Sequence, residues 1–193
     1  EVQRLASELA PYGRPFVAHI RSEGRWMWDA LDEFVDIGVE EEIPLHVSHF
    51  KVTGHTQQGK ADRAVELLET ARERGVDVTA DQYPYTAGSS MLSSLLPPWI
   101  ESRGPEQMLT DLRNGDVRQR LRRDIEEWRI DGWENVAGKT GWENIQVTDL
   151  SEKNSDIDGA FIADIADDRG VDPVDVVCDV LIEEKLNANM IAH

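Results

Sequence analysis

Two short apolar runs that each lead into a histidine stand thirty residues apart in this chain. The first is Phe16-Val-Ala-His19 and the second is Pro44-Leu-His-Val-Ser48-His49, and a third apolar run begins at Val76. Helical patterns fill both intervals, so the chain alternates strand, loop and helix. One βαβ unit takes roughly 30 residues, and its right-handed crossover places successive strands side by side and parallel. The sequence therefore predicts that His19 and His49 meet at the carboxyl ends of neighbouring strands.

The rest of the chain continues this mixed α/β pattern. Asp172 before Pro173 predicts a helix start, because a capping aspartate and a proline at the first helical position both favour one. Two prolines at 97 and 98 interrupt the apolar stretch 91–100, which predicts a buried loop or short helix, with a lid as the alternative. The predicted helices are 2–10, 25–42, 60–74, 105–129, 159–169 and 173–185, and the predicted strands are 16–20, 44–49, from 76, 145–150 and from 189.

Composition narrows the class of protein and its partners. The 193 residues are 40% hydrophobic, which is enough for one sizeable domain, and no apolar run approaches the roughly 20 residues of a membrane span. The net charge of −18 argues against binding to nucleic acid or to anionic membranes. The chain starts without an initiator methionine or a signal-peptide pattern and stops inside an apolar run. We therefore expect an internal piece of a longer protein.

The single cysteine, Cys178, cannot form a disulfide within the chain. It is therefore typical of a reducing compartment, and we expect a cytoplasmic protein. It stands in an apolar helical pattern, which favours buried packing over metal binding.

The two strand-end histidines have the chemistry of metal ligands. A single histidine at a strand end is more often structural, whereas two at matching ends of adjacent strands favour a shared metal ion. Neutral imidazoles suit Zn²⁺ and related transition metals, although a hydrolytic site needs further ligands and an open position for water. His46 stands an odd number of positions from His49, so alternation predicts that it points to the other face of the strand, towards the packing helices. We interpret His46 as structural.

Three motifs in order carry a resemblance to a known family. They are Ala18-His19-Ile-Arg21-Ser22-Glu23-Gly24, Val47-Ser48-His49-Phe-Lys51 and Asp81-Gln-Tyr83-Pro-Tyr85-Thr-Ala-Gly88-Ser89. Together they resemble the D-aminoacylase (N-acyl-D-amino-acid deacylase) family of the amidohydrolase superfamily. The match is strongest over residues 14–100, and 157–193 is compatible with it.

The resemblance implies a fold and an activity. The family's fold is a metal-dependent (β/α)₈ barrel of the TIM type beside a small β-sandwich. Residues 1–193 would then be part of the C-terminal half of one barrel domain, with an insertion or lid at about 90–156 that is irregular around 100–156. The implied reaction is zinc-dependent hydrolysis of the amide bond of small-molecule N-acyl-D-amino acids, which releases a carboxylate and a D-amino acid. A piece of this kind would be inactive alone.

The resemblance also implies roles for particular residues. His19 and His49 correspond to metal ligands for one or two Zn²⁺ ions, and Lys51, Tyr83 and Ser89 correspond to residues that bind the substrate carboxylate. The family's early His-x-His pair and metal-binding cysteine should precede residue 1, and its general-base aspartate should follow residue 193. Cys178 is not in the position of that cysteine.

Elementary chemistry agrees with these roles but leaves alternatives open. Zinc held by imidazoles brings the pKa of bound water to around 7, so that an amide can be attacked near neutral pH. Lys51 and Tyr83 offer donors suited to a carboxylate, while a solvated loop lysine and a packing tyrosine are the alternatives. Arg21 and Glu23 form either a supporting shell for the metal ligands or a simple surface ion pair.

Other classes compete with this interpretation. The segment Gly54-His-Thr-Gln-Gln-Gly59-Lys60-Ala61 is similar to a P-loop, but the position of Ala61 should hold serine or threonine for Mg²⁺. A cyclic-amide hydrolase of hydantoinase or dihydroorotase type shares the two strand-end histidines, and a non-catalytic barrel remnant is a third alternative. The near repeat at 131–135 and 141–144 is interpreted as chance duplication. Oligomeric state, acyl group and amino-acid specificity stay open.

Overall fold

The computed structural model describes residues 1–128 and 130–193. It divides into two compact units, Glu1–Pro84 and Tyr85–His193. The elements of the first unit are α1 (Val2–Ala6), a 3₁₀ helix (Ser7–Tyr12), β1 (Phe16–Ala18), α2 (Met27–Glu41), β2 (Leu45–Val47), α3 (Ala61–Glu73) and β3 (Val78–Ala80).

The three strands of the first unit form a parallel sheet in the order β1-β2-β3. Their registers align Ala18 with Val47 and Val47 with Ala80, so the three strands end level with one another. A helix, α2 or α3, lies in each connection. The predicted repeat of strand, loop and helix is therefore confirmed over this unit, as is the side-by-side order of the strands.

The helices cover one face of this sheet. Leu45 and Val47 are buried in one hydrophobic cluster with Leu31, Phe34 and residues of α3. The approach of α2 to β2 is close, because a Cβ built on Gly38 would lie 2.6 Å from Cδ1 of Leu45. This packing fixes the position of β2 against α2, and hence the position of the loop that carries His49.

The second unit contains a three-stranded antiparallel sheet, in which the strand Asn189–Ala192 lies between Gly88–Met91 and Ile145–Thr148. Its core contains Leu121 and Ile125 together with buried residues of the helices Ile162–Arg169 and Pro173–Glu183. The elements of this unit are β4 (Gly88–Met91), a 3₁₀ helix (Leu92–Leu95), α4 (Pro98–Glu101), α5 (Pro105–Asp111), α6 (Gly115–Glu127), α7 (Val136–Thr140), a 3₁₀ helix (Trp142–Asn144), β5 (Ile145–Thr148), a 3₁₀ helix (Glu152–Asn154), α8 (Ile162–Arg169), α9 (Pro173–Glu183) and β6 (Asn189–Ala192).

Two helix predictions in the second unit differ in how well they match the structure. The helical segment predicted over 105–129 consists of two helices, because Asn114 starts the second one by accepting hydrogen bonds from the N–H groups of Asp116 and Val117. Its predicted end at Arg129 lies outside the described residues. The predicted cap at Asp172 is confirmed, since its carboxylate accepts from the N–H of Val174.

Cys178 lies inside the core of the second unit and is fully buried. Burial raises the pKa of its thiol to about 12, so the thiol stays protonated at neutral pH. The predicted packing role is confirmed. In the part of the chain that the structure describes, no helix is both long enough and apolar enough to cross a bilayer.

Candidate metal centre

His19 and His49 come together where β1 and β2 end. His19 follows the last residue of β1 directly, and His49 stands two residues after β2. Nδ1 of His19 lies 2.7 Å from Nε2 of His49, and the ring centroids are 4.6 Å apart. The structure thus shows the geometry that the two apolar runs predicted, while metal binding at this pair stays a prediction.

The backbone of His49 is unusual and determines where its ring points. Its φ of 41° lies in the left-handed region, which residues other than glycine rarely adopt. Its N–H donates to Oδ1 of Asp81 at 2.5 Å, which holds the turn in this conformation. The strand has already ended at Val47, so strand alternation no longer applies at residue 49.

The predicted orientation of His46 is wrong for this reason. Its neighbours Leu45 and Val47 face the helices, so His46 lies on the opposite face of the sheet. There its Nδ1 is 2.8 Å from the hydroxyl of Thr79, and its Nε2 is 2.9 Å from Oδ2 of Asp81. The count from His49 assumed a strand through residue 49, whereas the left-handed turn reverses the direction of that ring.

Glu23 is the third member of the cluster. It is 8% exposed, and its Oε1 lies 2.8 Å from Nδ1 of His49 and 4.0 Å from Nδ1 of His19. The loop that carries it is tied down, because Thr53 donates its N–H to the carbonyl of Glu23 and Trp26 donates its N–H to the hydroxyl of Ser22. Glu23 is therefore held against the two imidazoles by its own backbone.

The donor set fits a transition metal ion. One ligand atom from each of His19, Glu23 and His49 lies within 4.8 Å of the other two. Two imidazole nitrogens and a carboxylate oxygen are the donors that zinc takes in hydrolytic sites, where a further position stays open.

Lys51 belongs to the same cluster. Its Nζ lies 2.5 Å from Oε1 of Glu23, 3.0 Å from Nδ1 of His49 and 3.2 Å from the carbonyl of His49. Its side chain is 22% exposed, so it is held within the cluster and not extended into solvent. Nζ also lies 5.2 Å from the ring centroid of Tyr83, which is half-buried just after β3.

The remaining candidates are placed differently. Ser89 lies in the second unit, exposed on β4, where it pairs with Ile191. Arg21 forms its surface ion pair with Glu33 at 2.7 Å, in place of the predicted pair with Glu23, whose carboxylate lies beside His49. Lys60 donates to the carbonyl of Thr56 at 2.8 Å, which occupies the side chain that a P-loop would direct at phosphate.

Asp81 is a site residue that the sequence reasoning did not single out. The hydrogen bond from His46 is the largest of the interactions that lower the pKa of its carboxyl group, followed by the backbone N–H of His49. The available signal was its place at the end of the third apolar run, level with the two histidines. Position at a strand end alone does not distinguish a metal ligand from a residue that hydrogen-bonds to a ligand and positions it.

No family model matches the chain. Two curated relatives match 92 of its residues, which is 48% of the chain. The D-aminoacylase of Alcaligenes xylosoxydans xylosoxydans is 38% identical, and the N-acyl-D-glutamate deacylase of the same organism is 34% identical. The matched residues make up 19% of each relative, so the match spans about a fifth of their length.

Solved structures show a similar fold over 99% of this chain and 30% of theirs, at 24% identity. A D-aminoacylase that defines a subset of amidohydrolases has a TM-score of 0.63. The N-acyl-D-glutamate deacylase of Bordetella bronchiseptica, complexed with zinc and a phosphonate inhibitor, has a TM-score of 0.65. Over 92 residues the chain is thus similar in sequence to a D-aminoacylase and an N-acyl-D-glutamate deacylase, and over 99% of its length it shares the fold of solved structures of these two kinds of enzyme.

Proposed function

We propose that the protein containing this chain is a metal-dependent hydrolase of N-acyl-D-amino acids that releases a carboxylate and a D-amino acid. The observation that carries the proposal is the convergence of His19, His49 and Glu23 at the carboxyl ends of parallel strands. The names of the curated relatives support the substrate class. The first unit is, on this proposal, an arc of a (β/α)₈ barrel, because loops at that end of such barrels carry active sites.

The proposed metal is zinc, held by the imidazoles of His19 and His49. Glu23 lies 2.8 Å from Nδ1 of His49 and would accept from it in the tautomer whose Nε2, which faces Nδ1 of His19, binds the ion. A zinc ion so held lowers the pKa of coordinated water and polarises an amide carbonyl. A solved D-aminoacylase has a binuclear metal centre, so the proposal includes one or two ions, with the remaining ligands and the general-base aspartate outside this chain.

Lys51, Tyr83 and Ser89 are the proposed partners of the substrate carboxylate. Lys51 supports this role because Glu23 holds its ammonium group beside the metal ligands and near Tyr83. The longest of its contacts, 3.2 Å to the carbonyl of His49, is the one that a carboxylate would replace. Charge-assisted hydrogen bonds of this kind are shorter and stronger than neutral ones.

The test combines metal content with stereochemical preference. We expect the purified protein to contain zinc, to lose activity with a chelator and to hydrolyse an N-acetyl-D-amino acid but not its L-enantiomer. His49→Ala should lose both metal and activity. The matched control is His55→Ala, since His55 is exposed in the neighbouring loop.

Two results would count against the proposal. The first is a His49→Ala variant that keeps its metal and its activity. The second is hydrolysis of a hydantoin or a dihydropyrimidine in place of the linear amide, which would favour the cyclic-amide alternative.

A further inference from the structure

We propose that His46 and Asp81 are positioning residues that hold the turn carrying His49 and thereby set the metal affinity of the site. The inference rests on the proposed function, because it takes His49 as a metal ligand. It assigns a role to a histidine on the opposite face from the helices and to a carboxylate that is not among the three clustered ligand residues. The two side chains connect β2 to the residue that follows β3.

Asp81 is bonded to the segment after β2 by both its backbone and its side chain. Its N–H donates to the carbonyl of Val47 at 3.2 Å, and its carbonyl accepts from the N–H of Phe50 at 2.8 Å. Its carboxylate accepts from the N–H of His49 at 2.5 Å and lies 2.9 Å from Nε2 of His46. The segment 47–50 is therefore bonded at three of its residues to Asp81, which directly follows β3.

The left-handed backbone of His49 needs such support. A residue other than glycine stays in this region only where its surroundings hold it there. The N–H groups of Ser48 and Phe50 donate to backbone carbonyls, whereas the N–H of His49 donates to the carboxylate of Asp81. Without the carboxylate, the turn would relax towards extended backbone, and the imidazole of His49 would turn away from His19.

His46 fixes the rotamer of Asp81. Because an ionised carboxylate only accepts hydrogen bonds, Nε2 of His46 must donate to it. On the other side of the ring, Nδ1 of His46 lies 2.8 Å from the hydroxyl of Thr79, which in turn donates to the carbonyl of Leu45 at 3.3 Å, so both ring nitrogens have polar partners. The chain Thr79, His46, Asp81 thus ends on the backbone N–H of His49.

The experiment compares His46→Phe with His46→Gln in the protein that contains this chain. Phenylalanine keeps the ring but cannot bond to Asp81, whereas the glutamine amide can still donate to it. Loss of outer-shell partners typically weakens metal binding about 10- to 100-fold. We expect His46→Phe to weaken Zn²⁺ binding by roughly tenfold, and His46→Gln to restore most of the affinity. His55→Phe is the matched control and should bind Zn²⁺ as the wild type does.

A second readout needs no metal. In the metal-free protein, hydrogen exchange of the peptide spanning residues 45–51 should be faster in His46→Phe than in the wild type and close to wild type in His46→Gln. Equal exchange in all three proteins would overturn the positioning role, whether or not the wild type binds metal. A wild type that binds no metal, with exchange that differs as expected, would refute only the proposed function. Equal Zn²⁺ affinity of wild type and His46→Phe would likewise overturn the inference.

A third variant covers the case in which His46→Phe does not fold. Asp81→Asn keeps an oxygen that accepts from the N–H of His49 but loses the ionised acceptor for His46. We expect an affinity between those of wild type and Asp81→Leu. Identical Zn²⁺ affinities of Asp81→Asn and Asp81→Leu would show that the side-chain oxygen accepting from the N–H of His49 has no effect on metal binding. This result would overturn the proposal.

Discussion

Lys51 and Glu23 form a charge pair beside the candidate metal ligands. Their closest atoms are 2.5 Å apart, and the side chain of Glu23 is only 10% exposed. Removal of one partner from such a pair leaves the other charge uncompensated, unless another donor replaces it. Nδ1 of His49 lies 2.8 Å from the same oxygen of Glu23 and can fill that role. The variant Lys51→Met should therefore fold and keep its metal.

Lys51→Met should lower kcat/KM for an N-acyl-D-amino acid. Removal of a charge-assisted bond costs about 1.5 to 3 kcal/mol, which corresponds to roughly a 10- to 150-fold loss. Steady-state kinetics on the variant, with metal content measured in parallel, checks this value.

The decisive control replaces the substrate carboxylate with a neutral amide. The wild type should be much less active on the amide than on the acid, whereas the activity of Lys51→Met should differ little between the two substrates. If the variant discriminates between acid and amide as strongly as the wild type does, Lys51 does not bind the carboxylate.

At this scale the sequence predicted strand ends better than side-chain directions. His19 and His49 could be paired because hydrophobic runs and the length of a βαβ unit are local properties. The direction of the His46 side chain could not be predicted, because it was counted from His49. That count depends on where β2 ends and on a hydrogen bond from His49 to Asp81, 32 positions later. That bond is visible only once the strands are placed together.

Among the elements, α2 and β2 pack closely enough to be sensitive to one methyl group. A Cβ at Gly38 would lie 2.6 Å from Cδ1 of Leu45 and 2.9 Å from Cγ1 of Val76, and both side chains are buried. Overpacking costs about 1 to 3 kcal/mol, while alanine gains about 1 kcal/mol in helix propensity. We expect Gly38→Ala to be destabilised by roughly 1 kcal/mol, measured by thermal or urea unfolding.

Gly115→Ala provides the matched comparison. Gly115 begins α6, and a Cβ built there meets no atom within 4 Å. This substitution should be neutral or stabilise by about 0.4 to 1 kcal/mol, because alanine restricts the unfolded chain. A Gly38→Ala variant as stable as Gly115→Ala would show that β2 moves freely against α2.

The end of α9 depends on a carboxylate. Glu184 is buried and accepts from the side chain of Asn154 at 2.5 Å and from the hydroxyl and N–H of Ser151. The bond from Asn154 is the main reason why the pKa of Glu184 is lowered in the folded state. Because the folded pKa is below the unfolded one, this stabilisation is present above the unfolded pKa and is lost as pH falls through the folded pKa.

Asn154→Ala should therefore lower the free energy of unfolding at neutral pH. The free energy of unfolding of the variant should also decrease less than that of the wild type as the pH falls. Loss of a hydrogen bond to a charged group costs about 1.5 to 3 kcal/mol at pH 7, and the difference from wild type should shrink below pH 4 or so. Denaturant unfolding between pH 7 and pH 3 measures both effects. A difference that is constant with pH would show that the ionised form of Glu184 is not what Asn154 stabilises.

Element prediction succeeded where the signal was local. Apolar periodicity predicted α2, α3 and α9 within about two residues at each end, which is the usual uncertainty of helix boundaries. The antiparallel pairing of β4, β5 and β6 joins residues 88–91, 145–148 and 189–192. Such pairing is set by tertiary packing, so periodicity in the sequence could not reveal it.

At the scale of the whole chain, the parallel sheet has open edges. Its order leaves β1 and β3 with one strand partner each among residues 1–128 and 130–193. Unpaired edges favour association with other chains. We expect residues 1–193 produced alone to fold poorly or aggregate, which size-exclusion chromatography and unfolding curves can measure. A monomer that unfolds cooperatively would contradict this prediction.

The dependence of His49 on Asp81 sets an order of assembly during synthesis. A nascent chain that ends between residues 51 and 80 already contains both histidines, Glu23 and Lys51, yet it lacks the residue that holds the turn. The proposed ligands are therefore synthesised before the turn that orients His49 can form. On the proposed roles of His49 and Asp81, zinc capture by a growing chain would begin only after the third strand has been synthesised and paired, which couples metal loading to completion of this unit.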